Sequence, residues 1–145
     1  MSEKITLTLE CLEQAHVLVA ALDLYTRLGI GQLEMVEELF RMEAIPASRP
    51  VSFDERMAMA EALRDQMNAA KQTIGFPRGG SLGIGGTLVP IGAQRAYEMQ
   101  KVLAKALAEY REPKPSFRGV NYDGLILRYT QDPVPTATVT AQGPA

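Results

Sequence analysis

Residues 75–92, GFPRGGSLGIGGTLVPIG, carry seven glycines in eighteen positions and separate two long helical patterns. Backbone this rich in glycine reaches conformations closed to other residues and approaches a ligand closely. The stretch holds one cation, Arg78, and no acid, and a helical pattern begins where it ends. Successive amides, an arginine and a helix start are the parts of an anion site. Two sharper readings fail. Gly80 and Gly85 have the spacing of a P-loop, but Gly86 stands where the phosphate-reaching lysine belongs. The stretch also follows a helix, whereas a P-loop and a dinucleotide fingerprint both follow a strand. A glycine-rich connector between helices points to an α-rich fold, with Arg78, Ser81, Gly83 and Gly85 as candidate anion ligands. The bland alternative is a surface loop that binds nothing.

Upstream, Ser52-Phe53-Asp54-Glu55 has the form of a capping box. A stripe of Phe53, Met57, Ala60, Leu63, Met67, Ala70 and Ile74 predicts a helix ending at Gly75. Before it, Leu33, Val36, Leu39 and Phe40 predict a shorter helix with acids in its early turns. Prolines 46 and 50 mark the connection between these two. The first helical pattern starts at Cys11 and runs toward Gly29. Its faces are apolar on both sides: Leu12, Ala15, Val19, Leu22 and Tyr25 on one, Val17, Ala20, Ala21 and Leu24 on the other. Such a helix is buried on several sides or covered by a partner chain.

Downstream, Ala96, Met99, Leu103, Ala106, Leu107 and Tyr110 predict a fourth helix, with Arg95, Lys101 and Lys105 on its other face and Pro113 beyond its end. Period-two alternation at Ile5, Leu7 and Leu9 predicts a short strand. The run Leu125 to Tyr129, after the turn signal Asp123-Gly124, predicts a second strand or hairpin, and the two would pair most economically with each other. The expected fold class is therefore mainly α with a small β element (α+β), with three to four helices and short strands at the N- and C-terminal ends. Residues 1–132 are expected to form a single helical domain and 133–145 an extended or disordered arm.

With 145 residues the chain has the length of one domain. One cysteine, Cys11, excludes an intrachain disulfide and suits a reducing compartment. No apolar run reaches membrane-span length and the start is not a signal peptide, so a cytoplasmic protein without a membrane is expected. The net charge of −2 is unevenly spread. Residues 1–65 carry six cations against twelve acids, and residues 90–120 six against three. That asymmetry steers an anionic ligand, drives self-association, or is an ordinary pair of solvated faces. Arg118, Asn121, Tyr122, Asp123 and Arg128 form a second constellation, with guanidinium forks, an amide and a stacking ring, the parts of a nucleotide pocket, and with turn chemistry and edge-strand charges as the plainer reading. Arg95 opens the fourth helix as a further phosphate partner. His16, the only histidine, sits in an apolar pattern and reads as a core or interface residue. One histidine and one cysteine make a zinc site improbable, and no hydrolase motif is present. No catalytic residue, cofactor or metal is expected. The absence of a dense basic stripe makes nucleic acid an unlikely partner.

At LYTRLGIGQLE and SFRGVNYDGLILRYTQDP the chain resembles a group of small proteins encoded by phages and prophages. The shared features are R-x-G-x-G-Q-x-E at residues 27–34, the glycine stretch before AQRAYEMQKVLAKALAE, and DG-x-x-x-RYT-x-DP at residues 123–133. By analogy with phage signal sponges, the resemblance implies a non-catalytic homo-oligomer in the host cytoplasm. It would sequester a small phosphorylated cyclic nucleotide at intersubunit pockets and so counter bacterial defence. The alternatives are an interaction module that inhibits a host defence or replication enzyme, and a nucleic-acid-binding regulator using the fourth helix.

Overall fold

A computed structural model describes residues 3–142. Its order is α1 (Leu12–Gly29), α2 (Met35–Arg41), α3 (Phe53–Thr73), α4 (Ile91–Arg111) and a 3₁₀ turn, Val120–Tyr122. The chain forms two compact units. Leu24–Gln94 is one; the described residues up to Asp23, with those from Arg95 onward, are the other.

No strand occurs among the described residues, so the α+β expectation is corrected to all-helical. The alternation at residues 5–9 is real, but Ile5 is 89% and Leu7 69% exposed, so no sheet face forms there. At Leu125–Tyr129 the reason is a competing acceptor. The amides of Tyr129 and Thr130 donate to the Glu98 carboxylate at 2.7 and 3.0 Å, and the Thr130 hydroxyl adds a bond of 2.6 Å. A side chain has taken the place of a ladder. Ahead of it, Asp123 ends the 3₁₀ turn, and Gly124, at φ +67°, lies where a Cβ would meet Lys105 Cδ at 2.7 Å.

In the Leu24–Gln94 unit, α2 packs on α3. The Ser52 hydroxyl accepts from the Glu55 amide while the Glu55 carboxylate accepts from the Ser52 amide, which sets the start of α3. The buried stripe of α3 is rotated from the expected one. Ala60, Asn68 and Lys71 are buried, whereas Phe53 and Ile74 are exposed. Arg56 fixes the far end of α2: it donates to the Phe40 carbonyl at 2.8 Å and lies 4.7 Å above the Phe40 ring. Helices α1 and α2 are separate. Gly31, at φ +92°, turns the chain between them.

That turn is also a close approach. A Cβ at Gly31 would sit 2.5 Å from the Phe76 ring. Gly31→Ala is expected to lower stability by about 2–3 kcal/mol, because backbone strain and overpacking coincide. Gly79, also at positive φ but facing open space, is the control and should cost markedly less as alanine. Thermal unfolding followed by circular dichroism checks the pair; equal losses would show that the Phe76 contact carries nothing.

Within α4, Ala93, Ala96, Ala104 and Leu107 are buried, while Met99 and Tyr110 of the expected stripe are exposed. On α1, Ala15 and Thr26 are buried, but Val17 is 69% exposed. The single chain therefore covers one side of α1 and leaves the opposite apolar face open. His16 is exposed, so it is not a core residue of the chain.

Candidate functional site

In the Leu24–Gln94 unit, α3 positions the glycine stretch through polar side chains on its buried stripe. Asn68 donates to the Arg64 carbonyl at 3.1 Å and accepts from the Gly79 amide at 2.9 Å. Farther along, the Leu82 amide donates to the Ile30 carbonyl at 2.8 Å, and Gln94 donates to the Ile84 carbonyl at 3.1 Å. Three well-spaced anchors hold residues 79–84 in one shape. Arg78 is exposed and donates to Asp65 at 2.7 Å, so the expected phosphate ligand already faces a carboxylate. Ser81, Gly83 and Gly85 are exposed on the same stretch.

The chemistry beneath the stretch was not anticipated from sequence. Lys71 is fully buried, and its ammonium donates to both Glu34 oxygens, at 3.0 and 2.7 Å. The same ammonium lies 6.0 Å from the Phe76 ring centroid. Burial raises the Glu34 pKa, but the hydrogen bond and charge of Lys71, with Arg64 farther off, outweigh it and leave the carboxyl below its ordinary value. One signal was available: Lys71 falls four residues after Met67 and three before Ile74, on a stripe otherwise apolar. Glu37 is a second buried acid, paired with Arg41 one turn on.

In the other unit, α4 is the platform. Glu98 is buried and collects the three bonds from Tyr129 and Thr130. Burial pushes its carboxyl up, yet the Thr130 hydroxyl, the two amides and the Arg128 charge together hold it below the ordinary value. Arg95 grips Asp132 with two bonds, 2.7 and 3.3 Å, and this contact lowers the Asp132 carboxyl. Arg128 donates to the Asp132 carbonyl. The Tyr122 hydroxyl reaches the carbonyls of Ala108, at 3.2 Å, and Glu112, at 2.9 Å, which are end groups of α4 in need of a donor. Arg118 lies over the Tyr122 ring with 5.4 Å to its centroid, and Asn121 is exposed.

The structure thus brings Arg95 and Arg128 together around Asp132, and Arg118 onto Tyr122. It gives each of these groups a partner within its own chain. Two shallow open grooves lie on the surface of the described residues. One, of about 300 Å³, is lined by Phe40, Met59, Ala62, Leu63 and Gln66. The other, of about 270 Å³, lies where Pro135–Ala137 run beside Val102, Lys105 and Ala106 of α4. Among the described residues no group of three or more His, Cys, Asp or Glu could hold a metal ion. None of the described helices is long and apolar enough to cross a membrane.

One feature has the geometry of a contact surface. Residues 117–130 are tied to α4 at one end by Tyr122 and at the other by Glu98. Ile126 and Leu127 lie between these ties, Phe117 (83%) and Val120 just before the first, and all four are strongly exposed. Arg118 and Arg128 flank them. Four large exposed apolar side chains thus lie along one short segment that also carries Arg118 and Arg128.

No family model matches the chain, no curated protein matches it, and no solved structure matches its fold.

Proposed function

We propose that the chain is a non-catalytic protein-binding module whose contact surface is the ridge formed by Phe117, Val120, Ile126 and Leu127. The observation behind this reading is the contrast between a firmly held backbone and uncovered apolar side chains. A loop held for its own sake turns such side chains inward; one held for a partner presents them. The flanking Arg118 and Arg128 call for a partner with an apolar cleft edged by acids. The resemblance to phage-encoded proteins makes a host enzyme of defence or replication the natural class of target. Nucleotide capture ranks below this reading, because Arg78, Arg95 and Arg128 would each have to leave a partner they already hold.

A photo-crosslinking residue placed at Phe117 tests the ridge in cells that carry the gene. One dominant adduct with another protein is expected. Ile126→Asp should abolish it, and the same crosslinker at the exposed Glu61 should not yield it. A spread of weak adducts unaffected by Ile126→Asp would sink the reading.

A further inference from the structure

The C-terminal arm is a different surface, and it lies wholly within the unit that holds residues 95–111 of α4. No helix, turn or bend interrupts residues 133–142. Burial alternates along them: Pro135, Ala137 and Val139 are half-buried, Thr136, Thr138 and Thr140 exposed. Pro135–Ala137 run beside Val102 and Ala106 of α4. The arm has the shape of a strand laid on a helix. Yet no backbone hydrogen bond joins residues 133–142 to any other described residue. In an extended chain the N–H and C=O of alternate residues point to the same side. The two edges of the arm are therefore unlike. Pro133 and Pro135 remove two N–H groups from one edge. Thr136, Thr138 and Thr140 give the other edge an unbroken row of donors and acceptors. Proteins guard a free edge with charge or proline, and the threonine edge has neither.

We propose that this edge pairs with the same edge of a second copy of the chain, antiparallel about Thr138. The pattern of Thr136-Ala137-Thr138-Val139-Thr140 reads alike in both directions. With Thr138 opposite its own counterpart, Thr136 faces Thr140 and Ala137 faces Val139. The three threonines of each chain then make about six ladder bonds. Their side chains pair across the strands on one face. Ala137 and Val139 share the other face, the half-buried one. A slip of one residue would turn that face of one arm outward, so the register is fixed. A foreign sheet edge offers the same bonds, but residues 136–142 have no charged or aromatic side chain with which to select one. The symmetry of the pattern selects a second copy. This inference is independent of the segment at Phe117, which the arm does not include.

The pair is small, so the dimer is a weak one, with a dissociation constant on the order of 100 µM. Sedimentation equilibrium on the full chain tests it. Between about 10 µM and 1 mM the mass should climb from near 15.8 kDa toward twice that value. Thr138→Pro removes the central N–H of both copies and should weaken the dimer about tenfold or more. Ala137→Pro alters the edge that faces away and should leave the dissociation constant within about threefold of the natural one. Amide exchange, read residue by residue, reports the edge. Thr136, Thr138 and Thr140 should exchange more slowly in concentrated than in dilute protein, while Ala137 and Val139 should not change. A chain that stays at the monomer mass throughout leaves a foreign sheet edge as the fitting occupant and overturns the proposal. A dimer that survives Thr138→Pro, equal losses in the two proline variants, or protection that does not alternate along the arm overturns it as well.

Discussion

Glu34→Ala is expected to destabilise the protein by about 3 kcal/mol, the low end for removing one partner of a buried ion pair. Lys71 is fully buried and its ammonium has both Glu34 oxygens within 3.0 Å. Without that carboxylate a desolvated positive charge is left with little beyond the Phe76 ring at 6.0 Å. The low end applies because the Glu34 side chain is 23% exposed and water can enter from that side. For a domain of this size the melting temperature should fall by roughly 10 °C. Lys71→Met fills the same space and leaves Glu34, the partner nearer solvent, to be hydrated, so it should cost less. Denaturant titration of the two variants decides the matter. If Glu34→Ala costs no more than Lys71→Met, the burial of the ammonium is not what the carboxylate compensates.

Glu98→Gln should be comparably costly, at about 3 kcal/mol, because bonds to a charged acceptor contribute about 1.5–3 kcal/mol each. Three donors converge on this carboxylate, and a carboxamide must turn an N–H toward at least one of them. The loss should appear locally as well as globally. Amide exchange at Tyr129 and Thr130 should quicken before that of the α4 interior.

The same group sets an acid limb. The folded-state pKa of Glu98 is lowered from 4.5, and so is that of Glu34. Each therefore contributes stability that is complete above the unfolded value and is lost as pH falls through the lower folded value. Below pH 4.5 the natural protein should lose stability more steeply than Glu98→Gln does. Parallel curves would show that Glu98 titrates alike in both states.

The helices were legible in sequence because their signals are local. The Ser52 capping box, the stop at Gly29 and the glycine stretch after α3 each act within a few residues. The strand signals fail for the opposite reason. Alternation at Ile5–Leu9 states a preference, but a strand needs a partner ladder, and the amides at 129–130 found Glu98, thirty-one and thirty-two residues away. The site residues divide in the same way. Arg78, Arg95, Arg118 and Arg128 were chosen by type, and type does not reveal that Asp65, Asp132 and Tyr122 already engage them. Lys71 and Asn68 carry no local signal of burial. Only the phase of the α3 stripe, which the sequence leaves uncertain by one position, shows that they point inward.

The ties at Tyr122 and Glu98 also imply an order of assembly. The carbonyls of Ala108 and Glu112 and the position of Glu98 exist as anchors only once α4 is wound. Residues 117–130 therefore take their final shape on a finished helix. Loosening the last turns of α4 should therefore also release the segment that carries the apolar side chains at 117, 120, 126 and 127.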